Sequence, residues 1–145
     1  EEHSWRCALY VKYETGFFGM IPIAWEGHSS FRIRDSKEVD GWYDISGCKL
    51  QVNEWSHYVV SYNAKTETAY AYINGQLVGS MKNVPGNRYA KRIVLGGDVF
   101  QPSFIGKICE VTFYNEIRDH DFVSELHQSY VTRDDFIGFE IGIDK

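Results

Sequence analysis

A chain of 145 residues is long enough to bury one proper core, and no apolar run in it approaches the ~20 residues that a membrane-spanning helix requires. Its formal net charge of −5, with Lys and Arg scattered along the chain, argues against nucleic acid as a partner, because phosphate binding draws on a concentrated basic patch. Aromatic residues make up 16% of the chain, ten Tyr and four Trp among them, beside 13 Gly and 3 Pro, a composition that suits many short strands joined by glycine-bearing turns.

Trp5 to Tyr13 alternates Trp5, Cys7, Leu9 and Val11 with Arg6, Ala8, Tyr10 and Lys12 and reads as the first strand. Phe17 to Trp25 is mostly apolar and reads as a strand buried on both faces. Phe31-Arg32-Ile33-Arg34 alternates strictly and stops at Asp35. Asp35 to Gly47 reads as a polar loop centred on Asp40-Gly41-Trp42-Tyr43-Asp44, with a short strand near Trp42 to Ile45.

Trp55 to Asn63 is a strong strand, and Thr66 to Asn74 follows with Ala69, Ala71 and Ile73 on one face and Thr68, Tyr70 and Tyr72 on the other. Asn74-Gly75 predicts a type I′ hairpin, because both residues tolerate positive φ, and Gln76 to Ser80 then pairs back. Pro85-Gly86-Asn87 breaks the chain. Lys91 to Leu95 is a short strand stopped by Gly96-Gly97-Asp98, and Phe104 to Tyr114 reads as a long one. A helix is predicted from Asp119 to Ser129, where Phe122, Val123 and Leu126 fall at helical spacing and Asp119 and Asp121 favour the helix dipole. Phe136 to Ile143 closes the chain as a strand interrupted by two glycines. No internal boundary or repeat is visible, so residues 1–145 are expected to form one domain.

Several of these runs carry a family resemblance. Trp55-Ser56-His57-Tyr58-Val59-Val60-Ser61-Tyr62-Asn63, Tyr72-Ile73-Asn74-Gly75-Gln76-Leu77-Val78-Gly79, Ile93-Val94-Leu95-Gly96-Gly97 and the run from Phe104 to Asn115 occur in that order. Together they resemble the laminin G-like and pentraxin branch of the concanavalin A-like lectin and glucanase superfamily, and Trp5 to Tyr13 extends the match to the front of the chain. The resemblance implies an all-β fold: two antiparallel sheets packed as a jelly-roll sandwich with one short helix near the C-terminus. It also implies a binding module of a larger extracellular or cell-surface protein. Two departures limit it. Val59 stands where pentraxins carry a cysteine two places after the His, so neither the pentraxin disulfide, its calcium sites nor its pentameric assembly is carried over. The extra strand that family members place before the one at Trp5 is missing, so either the chain is trimmed or Phe136 to Ile143 takes that place.

The superfamily includes glucanases, whose acid and nucleophile share one strand as Glu-x-Asp-x-Glu, or with one extra residue, on one face by alternation. Glu38-Val39-Asp40 is a fragment of that pattern, but Trp42 and Tyr43 occupy the two places open to the second Glu, and a solvated acidic loop explains it better. Non-catalytic carbohydrate binding is therefore the favoured function, with protein–protein adhesion of the laminin G-like type as the alternative and glycoside hydrolysis behind both.

Sugar binding relies on aromatic faces that stack on a pyranose and polar groups that fix its hydroxyls. Trp42 and Tyr43 between Asp40 and Asp44 have that chemistry, and Tyr70 and Tyr72 share a sheet face, beside Tyr58 and Tyr62 if the register is simple. Trp5, Trp25 and Trp55 are assigned to the core. The histidines His3, His28, His57, His120 and His127 show no ligand spacing for a transition metal, and His57 reads as structural. Hard cations take several oxygen ligands, and a structural Ca²⁺ near Asp98 is the metal site to test, with Asp40, Asp44, Asp134 and Asp135 as other loop carboxylates. Cys7, Cys48 and Cys109 fit no CxxC or zinc pattern; buried free thiols in strands are favoured over a disulfide, and Cys7–Cys109 is the pair if one forms. Glu1-Glu2-His3 lacks the basic start and apolar run of a signal peptide, which leaves the compartment open.

Overall fold

The computed structural model describes residues 5–37, 39–86 and 89–132. Eight strands form: β1 (Leu9–Tyr13), β2 (Gly16–Ile21), β3 (His28–Asp35), β4 (Trp42–Lys49), β5 (Tyr58–Asn63), β6 (Thr68–Ile73), β7 (Gln76–Met81) and β8 (Arg92–Leu95), followed by the helix α1 (His120–Val131). They make two antiparallel sheets, one of five strands in the order β4-β3-β2-β1-β8 and one of three in the order β5-β6-β7. This is the expected β-sandwich with one short helix.

Alternation builds the core. Val11, Phe18, Phe31 and Ile45 point from the larger sheet towards Ala69, Ala71 and Ile73 of the smaller one, and Val84 closes the layer from the loop after β7. Phe31, Ala69, Ala71 and Val84 are almost wholly removed from water. Such interleaving of two apolar faces is the main favourable contribution to a sandwich, at roughly 25 cal/mol per Å² of apolar surface buried. The Asn74-Gly75 turn joins β6 to β7 with φ of 51° and 76°, the type I′ geometry that the sequence predicts. Asp119 caps α1, its Oδ1 accepting the Phe122 amide at 2.9 Å.

Some expectations change. The short strand expected near Trp42 to Ile45, within the loop read from Asp35 to Gly47, forms and runs on to Lys49 as an eight-residue edge strand, because Tyr43 and Ile45 turn inward opposite Ile33 and Phe31. Phe104 to Tyr114 forms no ladder with any described strand: its Phe104 amide bonds to the Gly96 carbonyl, and Glu110 at φ 39° interrupts the extended run. Alternation supplies a face, but a strand also needs a neighbour's edge. Trp25 is 48% exposed and Trp55 is 55% exposed, so neither belongs to the core. Trp25 leaves β2's line in a 3-10 turn whose Glu26 has a φ of 50°, and Trp55 stands ahead of β5 at the sheet margin. All three cysteines are free, with Cys7 buried, Cys109 half-buried and Cys48 exposed on the edge strand. Phe136 to Ile143, Asp134, Asp135, His3 and Glu38 lie outside the described residues.

The smaller sheet's outer face is covered by the chain itself. Tyr72 stacks on His120 of α1 at 6.0 Å, the Ser61 hydroxyl donates to the Arg118 carbonyl at 2.8 Å, and His57 stacks on His127. Among the described residues no helix lies over the larger sheet's outer face.

Candidate functional site

Ladder register decides which side chains share the outer face of the five-stranded sheet. Tyr10, Gly19, Arg32 and Asp44 stand in one row across β1, β2, β3 and β4, and Lys12, Phe17, Arg34 and Trp42 stand in the next. Polar and aromatic residues alternate here with the apolar residues of the core face, so this face is built to meet something other than the second sheet.

A cavity of about 350 Å³ opens on it. The sheet contributes Tyr10, Phe17, Ile21, Arg32 and Trp42, the segment before β1 contributes Trp5 and Cys7, and the turn after β8 contributes Asp98, Phe100 and Gln101. Its aromatic lining is continuous: Phe17 lies 5.4 Å from Tyr10, 5.6 Å from Phe100 and 6.0 Å edge-on from Trp42, measured between ring centroids. The missing side chain at Gly19 leaves room for Cys7, whose Sγ would lie 3.2 Å from a Cβ placed there.

Arg32 is the organising cation. Its Nε and Nη2 donate to the two oxygens of Asp44, each at 2.7 Å. Its guanidinium carbon also lies 4.8 Å from the Trp5 ring centre and 4.9 Å from each of Trp25 and Trp42. A cation over an aromatic face contributes roughly 0.5 to 2 kcal/mol according to its exposure, so three rings and a bidentate carboxylate hold this side chain in one place. Trp5 and Trp25 meet edge to face at 4.5 Å. Trp5 itself has a φ of 51°, a left-handed conformation uncommon for a bulky residue, with its amide bonded to the Ile23 carbonyl at 3.0 Å.

Electrostatics at the bottom of the cavity favour neutral protonated groups. Burial, and then the neighbouring Asp98, pushes the Cys7 thiol far above its ordinary range. The same two causes raise Tyr10, so its hydroxyl stays protonated at neutral pH. That hydroxyl is buried without a hydrogen-bond partner among the described residues. Asp98 Oδ1 accepts the amides of Phe100 and Gln101 at 2.5 and 2.7 Å, which fixes the turn.

The residues singled out from sequence divide. Trp42 lines the cavity and Asp44 holds Arg32. Tyr43 points the other way and packs against the core, since its neighbours along the strand take the outer face. Asp40 is exposed in the β3–β4 turn, its carbonyl accepting the Trp42 amide. Tyr70 and Tyr72 lie on the other sheet, and Tyr72 is only 5% exposed beneath α1, so its ring is not open to a ligand. Tyr58 and Tyr62 face the core opposite Ile73 and Ala69, on the other side from Tyr70 and Tyr72. Among the described residues no three His, Cys, Asp or Glu side chains are grouped to hold a metal.

Sequence reasoning did not single out Arg32, Tyr10, Phe17 or Phe100, while Trp5, expected in the core, packs half-buried against the cluster of Cys7, Tyr10, Ile21 and Ala24 and also lines the cavity. The available signal was the strict alternation of Arg32 and Arg34 with Phe31 and Ile33, which marks a polar sheet face opposite the core.

Comparison with known proteins bears on this geometry. Residues 3–124 match the Laminin_G_3 family model, described as the concanavalin A-like lectin/glucanases superfamily, and that span contains every residue lining the cavity. Among solved structures, an S-layer domain-containing protein (residues 221–444) from Clostridium thermocellum ATCC 27405 is similar at 17% identity and a TM-score of 0.42, over 88% of this chain. The chain spans 64% of the length of that structure. No curated protein matches.

Proposed function

The chain belongs to the concanavalin A-like lectin/glucanases superfamily, and on that premise we propose that it is a non-catalytic carbohydrate-binding module of a larger extracellular or surface protein. The observation that carries this reading is the aromatic cavity on the open sheet face, with Trp5, Tyr10, Phe17, Trp42 and Phe100 around the fixed guanidinium of Arg32. Aromatic faces match the C–H face of a pyranose, and a few fixed polar groups select its hydroxyls. A volume of about 350 Å³ is at the small end of the ligand-site range, which suits one or two sugar rings.

Binding is favoured over hydrolysis because glycosidases act with two carboxylates flanking one bond, and the described lining of this cavity has one, Asp98. Asp44 is occupied by Arg32, and Asp40 stands in an exposed turn.

A glycan array followed by titration of intrinsic tryptophan fluorescence tests the proposal. A binding sugar should quench the signal, and Trp42→Ala should weaken binding about tenfold or more while the fold survives, since Trp42 is half exposed. Failure of every saccharide on the array removes the reading. A protein ligand is the second reading, supported by Ile105, Phe113 and Ile117, which expose apolar surface after β8; pull-down with Phe113→Asp as control tests it.

A further inference from the structure

We infer that the cavity selects uncharged sugar rings over uronates and sulfated sugars, with Arg32 acting as a neutralised hydrogen-bond donor. The inference rests on the carbohydrate reading above and adds to it the class of sugar.

Among the described residues two charged side chains line the cavity, Arg32 and Asp98. An anionic sugar would look to Arg32. That guanidinium, however, already has the carboxylate of Asp44 on its Nε and Nη2, the two-point arrangement by which Arg grips an anion most firmly. Trp5, Trp25 and Trp42 crowd around it at 4.8 to 4.9 Å, so the guanidinium cannot swing out to a second carboxylate without giving up those contacts. What remains towards a ligand is Nη1, a donor whose charge is balanced. A hydroxyl or ring oxygen can accept from it.

Asp98 tips the balance further. A carboxylate lining a largely apolar cavity repels a second anion and accepts from a sugar hydroxyl. The side chain of Gln101 adds an uncharged donor and acceptor. The remaining cations on this sheet face, Lys12, Arg34 and Arg92, are not among the lining residues. Lys12 and Arg92 are exposed, so salt screens their pull on a distant anion. Arg34 donates to the Asp35 carbonyl at 2.6 Å while its guanidinium carbon lies 4.8 Å from the Trp42 ring centre, which leaves it as a cation beside the lining that the salt series must discount.

The test compares two sets of probes by calorimetric titration of the intact chain at low and at physiological salt. Cellohexaose, xylohexaose and mannohexaose represent neutral chains; oligogalacturonate and a sulfated heparin oligosaccharide represent acidic ones. The inference expects binding within the neutral set that changes less than about twofold with salt, and at least about tenfold weaker binding of the acidic set. Asp44→Asn keeps the shape of its partner but removes the balancing charge, so acidic probes should gain about tenfold or more in that variant, its fold checked by circular dichroism. In a variant that fails to fold, the salt series on the natural chain still decides. Tight, salt-sensitive binding of the acidic probes to the natural chain overturns the inference and leaves the carbohydrate reading standing. Silence from both sets overturns the carbohydrate reading as well.

Discussion

His57 and His127 stack ring on ring, 5.7 Å apart and 7° from parallel, across the joint between the three-stranded sheet and α1. Both Nδ1 atoms are buried without a hydrogen-bond partner among the described residues, while the Tyr130 ring lies 5.1 Å from His57 and the Tyr130 hydroxyl donates to Glu110 at 2.7 Å. Burial first, then the nearby His127, lowers the pKa of His57, and Glu110 opposes them.

The pH dependence follows by linkage. Because the folded state holds His57 below its ordinary value of 6.5, the unfolded chain binds more protons in that window, and stability falls as pH drops from about 6.5 through the lowered folded value. Melting temperature should therefore decline between about pH 7 and about pH 5, before the carboxylates titrate. His127→Gln should flatten the slope, and an unchanged slope in that variant would show that this pair does not govern it.

Tyr10→Phe should leave the free protein as stable or up to about 1 kcal/mol more stable, since it removes a buried hydroxyl without a partner. If that hydroxyl serves a ligand, the same variant binds sugar more weakly while melting no lower, a combination that a merely structural tyrosine does not give. Denaturant unfolding and fluorescence titration on one preparation measure both.

Phe31→Ala should cost about 3 to 5 kcal/mol, because Phe31 is 1% exposed between the sheets, whereas Trp55→Ala, at a 55% exposed site, should cost under about 1 kcal/mol. Urea midpoints of the two variants check the contrast. Similar losses would mean that the core does not lie where Phe31 and Ile45 meet.

Asp119→Ala should destabilise by about 1 kcal/mol through loss of the Phe122 amide's acceptor. The effect should be local. Hydrogen exchange ought to accelerate along α1 and at Tyr72 beneath it, with β2 and β3 unchanged.

Much of this architecture is legible before any coordinates. The Asn74-Gly75 turn, the inward set Ala69, Ala71 and Ile73, and the cap at Asp119 follow from local rules in which one residue's backbone or side-chain chemistry settles the matter. The candidate site is less legible, because it is assembled from Trp5, Phe17, Arg32, Trp42 and Phe100, which come together only through strand order and register. Trp42 was recoverable by its setting among polar neighbours. The exposure of Trp25 was not, since a large apolar side chain reads as core until a left-handed neighbour, here Glu26, takes the chain out of line. Phe104 to Tyr114 shows the opposite failure, a strand pattern that pairs with no described strand.

The left-handed backbone at Trp5 has a thermodynamic corollary. Because that indole is already locked against Trp25 and Arg32, little torsional freedom is left for a ligand to quench on arrival. Association with the proposed sugar would then resemble a key entering a finished lock, and the heat released should come chiefly from stacking and desolvation rather than from ordering of the chain.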